Sequence, residues 1–139
     1  MQIQVFHHLP KDAQMVRQKV FMEEQGFIHE YDETDEIARH LVAYENGEPA
    51  GTCRIFRDSA EDVFILGRLA VLPEHRGKQV GALLMQEAEK EVCNLGGTAL
   101  WLHAQCRAAG FYEKQGYRKT GEIGLDEGCP HIWMSKELG

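Results

Sequence analysis

The sequence predicts one α/β domain built on a mixed sheet. Segments of strand and helix periodicity alternate along the chain, one strand-like run is apolar almost throughout, and helical segments follow strands through short loops. With 139 residues, 43% of them hydrophobic, the chain can bury a single core without metal or disulfide support. One domain spanning residues 1–139 is therefore expected.

Residues 2–7 read as a first strand. Residues 9–25 read as a helix, with Met15, Val16, Val20 and Phe21 at helical spacing and Pro10 tolerated near its start. Residues 26–37 look irregular. Residues 39–45 and 50–57 are two strands joined at Asn46-Gly47-Glu48-Pro49, a strong hairpin turn. Residues 63–72 are apolar almost throughout, as expected for a strand buried on both faces at a sheet centre. The helix over 80–93 gathers Val80, Leu83, Leu84, Ala88 and Val92 on one face and stops at Gly96-Gly97. A strand over 98–104 leads to a helix starting at Gln105. Residues 117–123 and 131–136 then read as a closing hairpin across 126–130.

A formal charge of −7 argues against a nucleic-acid partner, which needs a basic face. No apolar run approaches the roughly 20 residues needed to cross a bilayer, and the polar start has no signal-peptide core, so no membrane partner and a cytoplasmic location are expected. Cys53, Cys93, Cys106 and Cys129 form no Cys-x-x-Cys pair and no cluster with histidine, so no metal is expected. Cys53 and Cys93 read as small apolar residues. Cys106, beside Arg107 near a helix start, is the thiol whose pKa could fall, yet packing is favoured for it too.

The segment from Val71 to Met85 carries the most chemistry. A short basic, glycine-containing turn joins an apolar strand to an amphipathic helix, so consecutive backbone N–H groups and the helix dipole face the same spot. Arg76 and Lys78 add positive charge there. Such a turn is a receptor for phosphate, most plausibly a pyrophosphate. It is no triphosphate loop, because Gly77-Lys78-Gln79 lacks the magnesium-binding hydroxyl, and Gly-x-Gly-x-x-Gly is absent.

Arg76-x-x-Gln79-x-Gly81 resembles the Arg/Gln-x-x-Gly-x-Gly/Ala loop with which GNAT-superfamily N-acetyltransferases hold acetyl-CoA. A second block at the right distance, Gln105-Cys-Arg-Ala108-Ala-Gly-Phe111-Tyr112-Glu-Lys-Gln-Gly116-Tyr117, resembles that family's Asn-x-x-Ala-x-x-apolar-Tyr-Glu-Lys-x-Gly-Phe element. The resemblance runs strongly over residues 62–117. It implies a GNAT-type mixed central sheet flanked by helices, whose two central parallel strands splay so that the pantetheine arm can enter. It implies acetyl-CoA as co-substrate and a small-molecule or side-chain amine as acceptor. The cofactor residues carried over are Leu69, Ala70 and Val71 on the strand, one of which offers the oxyanion N–H, then Arg76, Gly77, Lys78, Gln79, Val80, Gly81 and Ala82 in the loop, and Gln105. Tyr112 matches the general acid that protonates the departing thiolate. Gln79 departs from the family glycine. It is harmless at right-handed helical angles and weakens binding if a positive φ is needed.

The general base stays open among Glu24, His40, His131 and ordered water, and the first three are also candidate acceptor contacts. Seven acids, Glu23, Glu24, Glu30, Asp32, Glu33, Asp35 and Glu36, lie between Lys19 and Arg39 with no basic residue among them. They read either as a rim attracting a cationic amine or as a solvated charged loop. A non-catalytic CoA-binding or interaction module, transfer of a longer acyl group, and a homodimer are alternatives the sequence leaves open.

Overall fold

The computed structural model describes residues 1–28, 31–60, 62–126 and 128–139. Strand β1 (Gln2–Phe6) precedes helix α1 (Lys11–Arg17), which continues as a π-helix over Gln18–Glu24. A short helix α2 (Thr34–Ile37) leads to β2 (Arg39–Glu45), β3 (Glu48–Asp58) and β4 (Val63–Val71). A 3₁₀ turn (Pro73–His75) then reaches helix α3 (Val80–Asn94) and strand β5 (Ala99–Gln105). A second 3₁₀ turn (Cys106–Ala108) opens helix α4 (Ala109–Lys114), and β6 (Arg118–Lys119), β7 (Gly124–Asp126) and β8 (Cys129–Glu137) close the chain. The order β1-β2-β3-β4-β5-β8-β6, with β7 also on β8, is one mixed sheet. Its single parallel pair is β4 with β5; the other described pairs are antiparallel.

Two apolar clusters cover the two faces. On one, α3 buries Val80, Leu84, Met85, Ala88 and Val92 against Leu41, Cys53, Leu66, Leu100 and Met134. Each fully buried aliphatic side chain contributes roughly 1.5–3 kcal/mol. Gly51 lets α3 sit this close, because a Cβ there would lie 2.9 Å from the Ala70 carbonyl oxygen and 3.0 Å from Val80. On the other face, Val16, Val20 and Phe21 pack on Ala70 and Leu72.

Several expectations from the sequence change. The helix expected over 9–25 widens after Arg17 into i→i+5 bonding, as in Gln25 N–H to Val20 O at 3.1 Å. The strand expected to be buried on both faces is only half-buried, apart from Leu66 and Ala70. The cause is the sheet itself: β4 and β5 pair only from Phe64–Leu100 to Leu66–Leu102 and then diverge, so Leu69 and Val71 border open space. The closing hairpin turns within 126–130 as expected, but its first arm is interrupted. Arg118–Lys119 faces Ser135 and Met134, pairing resumes at Gly124–Asp126, and Asp126 faces Cys129. Cys53 is buried as expected, whereas Cys93 faces solvent on α3.

A β-bulge marks the divergence. Thr52 faces Ala70 and Arg54 faces Gly67, so Cys53 alone stands opposite both Arg68 and Leu69. Arg68 takes φ 55° to achieve this. An extra residue turns the strand and re-aims its backbone groups. Gly67 inside an otherwise apolar run is the sequence signal for it.

Candidate active site

A cleft of about 600 Å³ opens where β4 and β5 part. Leu69 and Val71 form its strand wall, Arg76, Gly77, Gln79, Val80, Gly81 and Ala82 its loop wall, and Ala108, Phe111 and Tyr112 its far side. No side chain caps α3, so the N–H groups of its first turn remain for a ligand. The loop reaches this shape through two left-handed residues, Gly77 (φ 80°) and Gln79 (φ 68°). The departure from glycine therefore falls on a residue that does adopt a positive φ.

Charges around the loop are already engaged. Arg76 donates to Glu24 at 2.6 and 2.8 Å and, through Nε, to the Val71 carbonyl at 3.0 Å. The Glu24 carboxyl is held below its usual range by that hydrogen bond. Lys78, expected on the cofactor, points instead towards Glu45 at 3.4 Å and does not line the cleft. Ala70 is buried in the core and contributes no wall.

A second cavity of about 200 Å³ lies behind the first. Phe21 of the π-helix and Gln25 just after it, Gly67 and Arg68 at the bulge, and His103, Gln105, Arg107 and His131 line it. Leu69, Ala108 and Tyr112 belong to both walls, so the two spaces meet at Tyr112. The Tyr112 ring packs edge-on against Phe111 and Tyr117. Burial pushes its phenol well above the ordinary range, with the nearby Cys53 thiol adding to the effect. Among the described residues no group accepts from its hydroxyl. Burial also pushes the Cys53 thiol up to about 12, which removes it as a nucleophile.

Gln105, expected on the cofactor, lies in this smaller cavity. Its amide donates to Gln25 Oε1 at 2.9 Å and its oxygen accepts from Arg107 Nε at 2.8 Å. His131 is buried, with Nδ1 2.8 Å from the Cys129 carbonyl. A carbonyl only accepts, so Nδ1 carries the hydrogen when the ring is neutral and Nε2 keeps its lone pair. The His103 ring lies 4.9 Å from it. Burial, then the charge of His131, lowers the His103 pKa.

His40 does not join the site. It is buried on β2, lines neither cavity, and meets the Asp35 carbonyl through Nε2 at 2.9 Å. The rim expected to attract a cation is tied up in the same way. Asp35 bridges Arg17 (2.8 Å) and Arg54 (2.9 Å), and Asp32 meets Arg54 (2.7 Å) and Arg68 (3.3 Å). Glu23, Glu33 and Glu36 are on the surface, and Glu30 lies outside the described residues. The sequence reading missed Arg68, His103 and Arg107, because only the splayed sheet and the 3₁₀ turn after β5 bring them together. Among the described residues no group of three His, Cys, Asp or Glu side chains could hold a metal. No described helix is long and apolar enough to cross a membrane.

The sequence matches the family model described as "Acetyltransferase (GNAT) domain" over residues 7–138. The chain belongs to the GNAT acetyltransferase family. It is 37% identical over 130 residues to the Bacillus subtilis protein named "Uncharacterized N-acetyltransferase YjcF", covering 91% of each chain. The crystal structure of Escherichia coli ElaA superposes on this GNAT domain with a TM-score of 0.86 at 26% identity, covering 98% of this chain and 99% of that one. An aminoglycoside 6'-N-acetyltransferase crystallised with coenzyme A shares the fold alone, with a TM-score of 0.76 at 20% identity over 99% of this chain and 97% of that one. This GNAT domain is thus an acyl-CoA-dependent acyltransferase, of a family that acts on amine acceptors.

Proposed function

We propose that this GNAT domain moves an acetyl group from acetyl-CoA to a primary amine by direct attack, with Tyr112 serving the departing sulfur. What carries the reading is the junction of the two spaces: Leu69, Ala108 and Tyr112 wall both the larger cleft and the smaller cavity. The larger cleft suits coenzyme A, whose pyrophosphate would take the N–H groups from Gly77 to Ala82 with Arg76 beside them. Acetyl-CoA supplies an already activated acyl group, so the protein contributes orientation and electrostatics.

A backbone N–H in Leu69–Val71, re-aimed by the bulge at Arg68, donates to the carbonyl oxygen as negative charge develops on it. Nε2 of His131, directly or through water, accepts the proton that the amine gives up as its bond to the acyl carbon forms. As the carbon–sulfur bond breaks, the Tyr112 hydroxyl donates to the thiolate. The raised phenol pKa keeps that proton on oxygen until the thiolate forms. It also makes Tyr112 a hydrogen-bond donor first and a full proton donor only in concert with bond breaking. The products are an amide and free coenzyme A, and the proton taken by His131 returns through water to the Tyr112 phenolate, restoring both groups.

Tyr112→Phe tests the role. The ring packing survives, so the Kd for coenzyme A by calorimetry should stay within about two-fold. The kcat should fall at the low end of general-acid effects, roughly a hundred-fold. An unaltered kcat, measured where chemistry limits turnover, would return Tyr112 to a packing role.

A further inference from the structure

The smaller cavity has a charge character of its own. Among its described lining residues the fixed charges are Arg68, which is paired with Asp32 at 3.3 Å, and Arg107, and none of those residues is a carboxylate. The acids that could have supplied one are committed elsewhere. Both Glu24 oxygens are held by Arg76 at 2.6 and 2.8 Å, although the Arg107 charge reaches Glu24 as well. Asp32 and Asp35 are bonded to Arg17, Arg54 and Arg68.

Arg107 is also oriented. Gln25, Gln105 and Arg107 form a chain across the π-helix and the start of the 3₁₀ turn, with bonds of 2.9 and 2.8 Å. That chain uses Nε of Arg107, and among the described residues no carboxylate bonds its two terminal nitrogens. A guanidinium held by Nε presents those nitrogens as a two-pronged donor, the geometry that matches a carboxylate or phosphate.

We infer that the acceptor carries an anionic group, a carboxylate or a phosphate, beside its amine, and that Arg107 binds that group in the smaller cavity. The inference rests on the acyl-transfer reading above and runs against the cationic-amine alternative for the acidic stretch. A plain alkylammonium entering beside the Arg107 guanidinium is repelled. An anionic substituent offsets that repulsion. The same positive field lowers the pKa of the acceptor's ammonium, which favours the neutral, nucleophilic amine.

Matched amines with acetyl-CoA and a thiol-release assay test this. The pairs are 3-aminopropanoate against its amide, and 2-aminoethyl phosphate against 2-aminoethanol, with 1,3-diaminopropane as the cation. The anionic members should be used with kcat/KM about ten-fold higher or more, the size expected of a hydrogen bond to a charged group. The preferred pair separates carboxylate from phosphate. In Arg107→Gln the preference should collapse through KM, with the Kd for coenzyme A unchanged, and Arg107→Lys should restore part of it. Neutral or dicationic amines used as fast as anionic ones would overturn the inference while leaving acyl transfer standing, and the wild-type panel alone decides that. An intact preference in Arg107→Gln would overturn the residue assignment. No thiol release with any amine, in protein that binds coenzyme A, would overturn the acyl-transfer reading and this inference with it.

Discussion

Asp35→Asn removes one charge from the most enclosed ionic group in the protein. Asp35 is 6% exposed, Arg17 1% and Arg54 5%. The carboxylate accepts from Arg17 at 2.8 and 3.0 Å, from Arg54 at 2.9 Å and from the Asp32 N–H at 3.2 Å. Asparagine keeps the shape but turns an NH₂ towards guanidinium donors and leaves buried positive charge uncompensated. Breaking one partner of a buried pair costs about 3–5 kcal/mol, which is the expected loss at pH 7. The pH dependence checks the cause. Burial alone would raise the Asp35 pKa, but hydrogen bonding and charge attraction from Arg17 and Arg54 outweigh it and bring it from 3.8 to about 2. A folded pKa below the unfolded one stabilises above the unfolded value and loses that stability as pH falls through the folded value. At about 1.4 kcal/mol per unit, this gap corresponds to about 2 kcal/mol, present above roughly pH 5 and lost towards pH 2. Urea unfolding followed by tryptophan fluorescence, in steps from pH 7 to pH 2.5, should show the wild-type advantage over Asp35→Asn shrinking across that window. A deficit below 1 kcal/mol at pH 7, or one that stays constant down to pH 2.5, would refute the argument.

Two further outcomes bear on the loop. Gln79→Gly relieves a left-handed residue costing about 1–2 kcal/mol, offset by about 0.5–1 kcal/mol of extra unfolded-chain entropy, so a net gain of about 0.5–1 kcal/mol is expected. Thermal unfolding should show it, with Gln79→Ala giving no gain; equal midpoints for the two variants would argue against strain at this position. Glu24→Gln loosens an exposed, solvent-screened clasp on Arg76, so coenzyme A should bind up to about five-fold more tightly by calorimetry. Weaker binding would mean that Glu24 orients Arg76 for the ligand rather than competing with it.

Alternating periodicities were enough to make the α/β architecture legible, because each strand and helix buries one side with its own repeat. The strand at 63–71 and the helix from Val80 were readable for this reason. Family membership was readable from the loop at 76–81 and the block at 105–117. What the sequence could not carry depends on partners distant along the chain. The divergence of β4 from β5, which turned an expected core strand into a cleft wall, comes from the pairing of two separate strands and the bulge at Arg68. The acidic stretch looked like an open rim because its partners, Arg17, Arg54, Arg68 and Arg76, lie on other elements, and only folding brings those charges within 3.3 Å. His40 meets the Asp35 carbonyl and Gln105 meets Gln25 for the same reason. Local spacing determines which face a side chain takes, whereas what that face meets is decided by the packing of the whole domain.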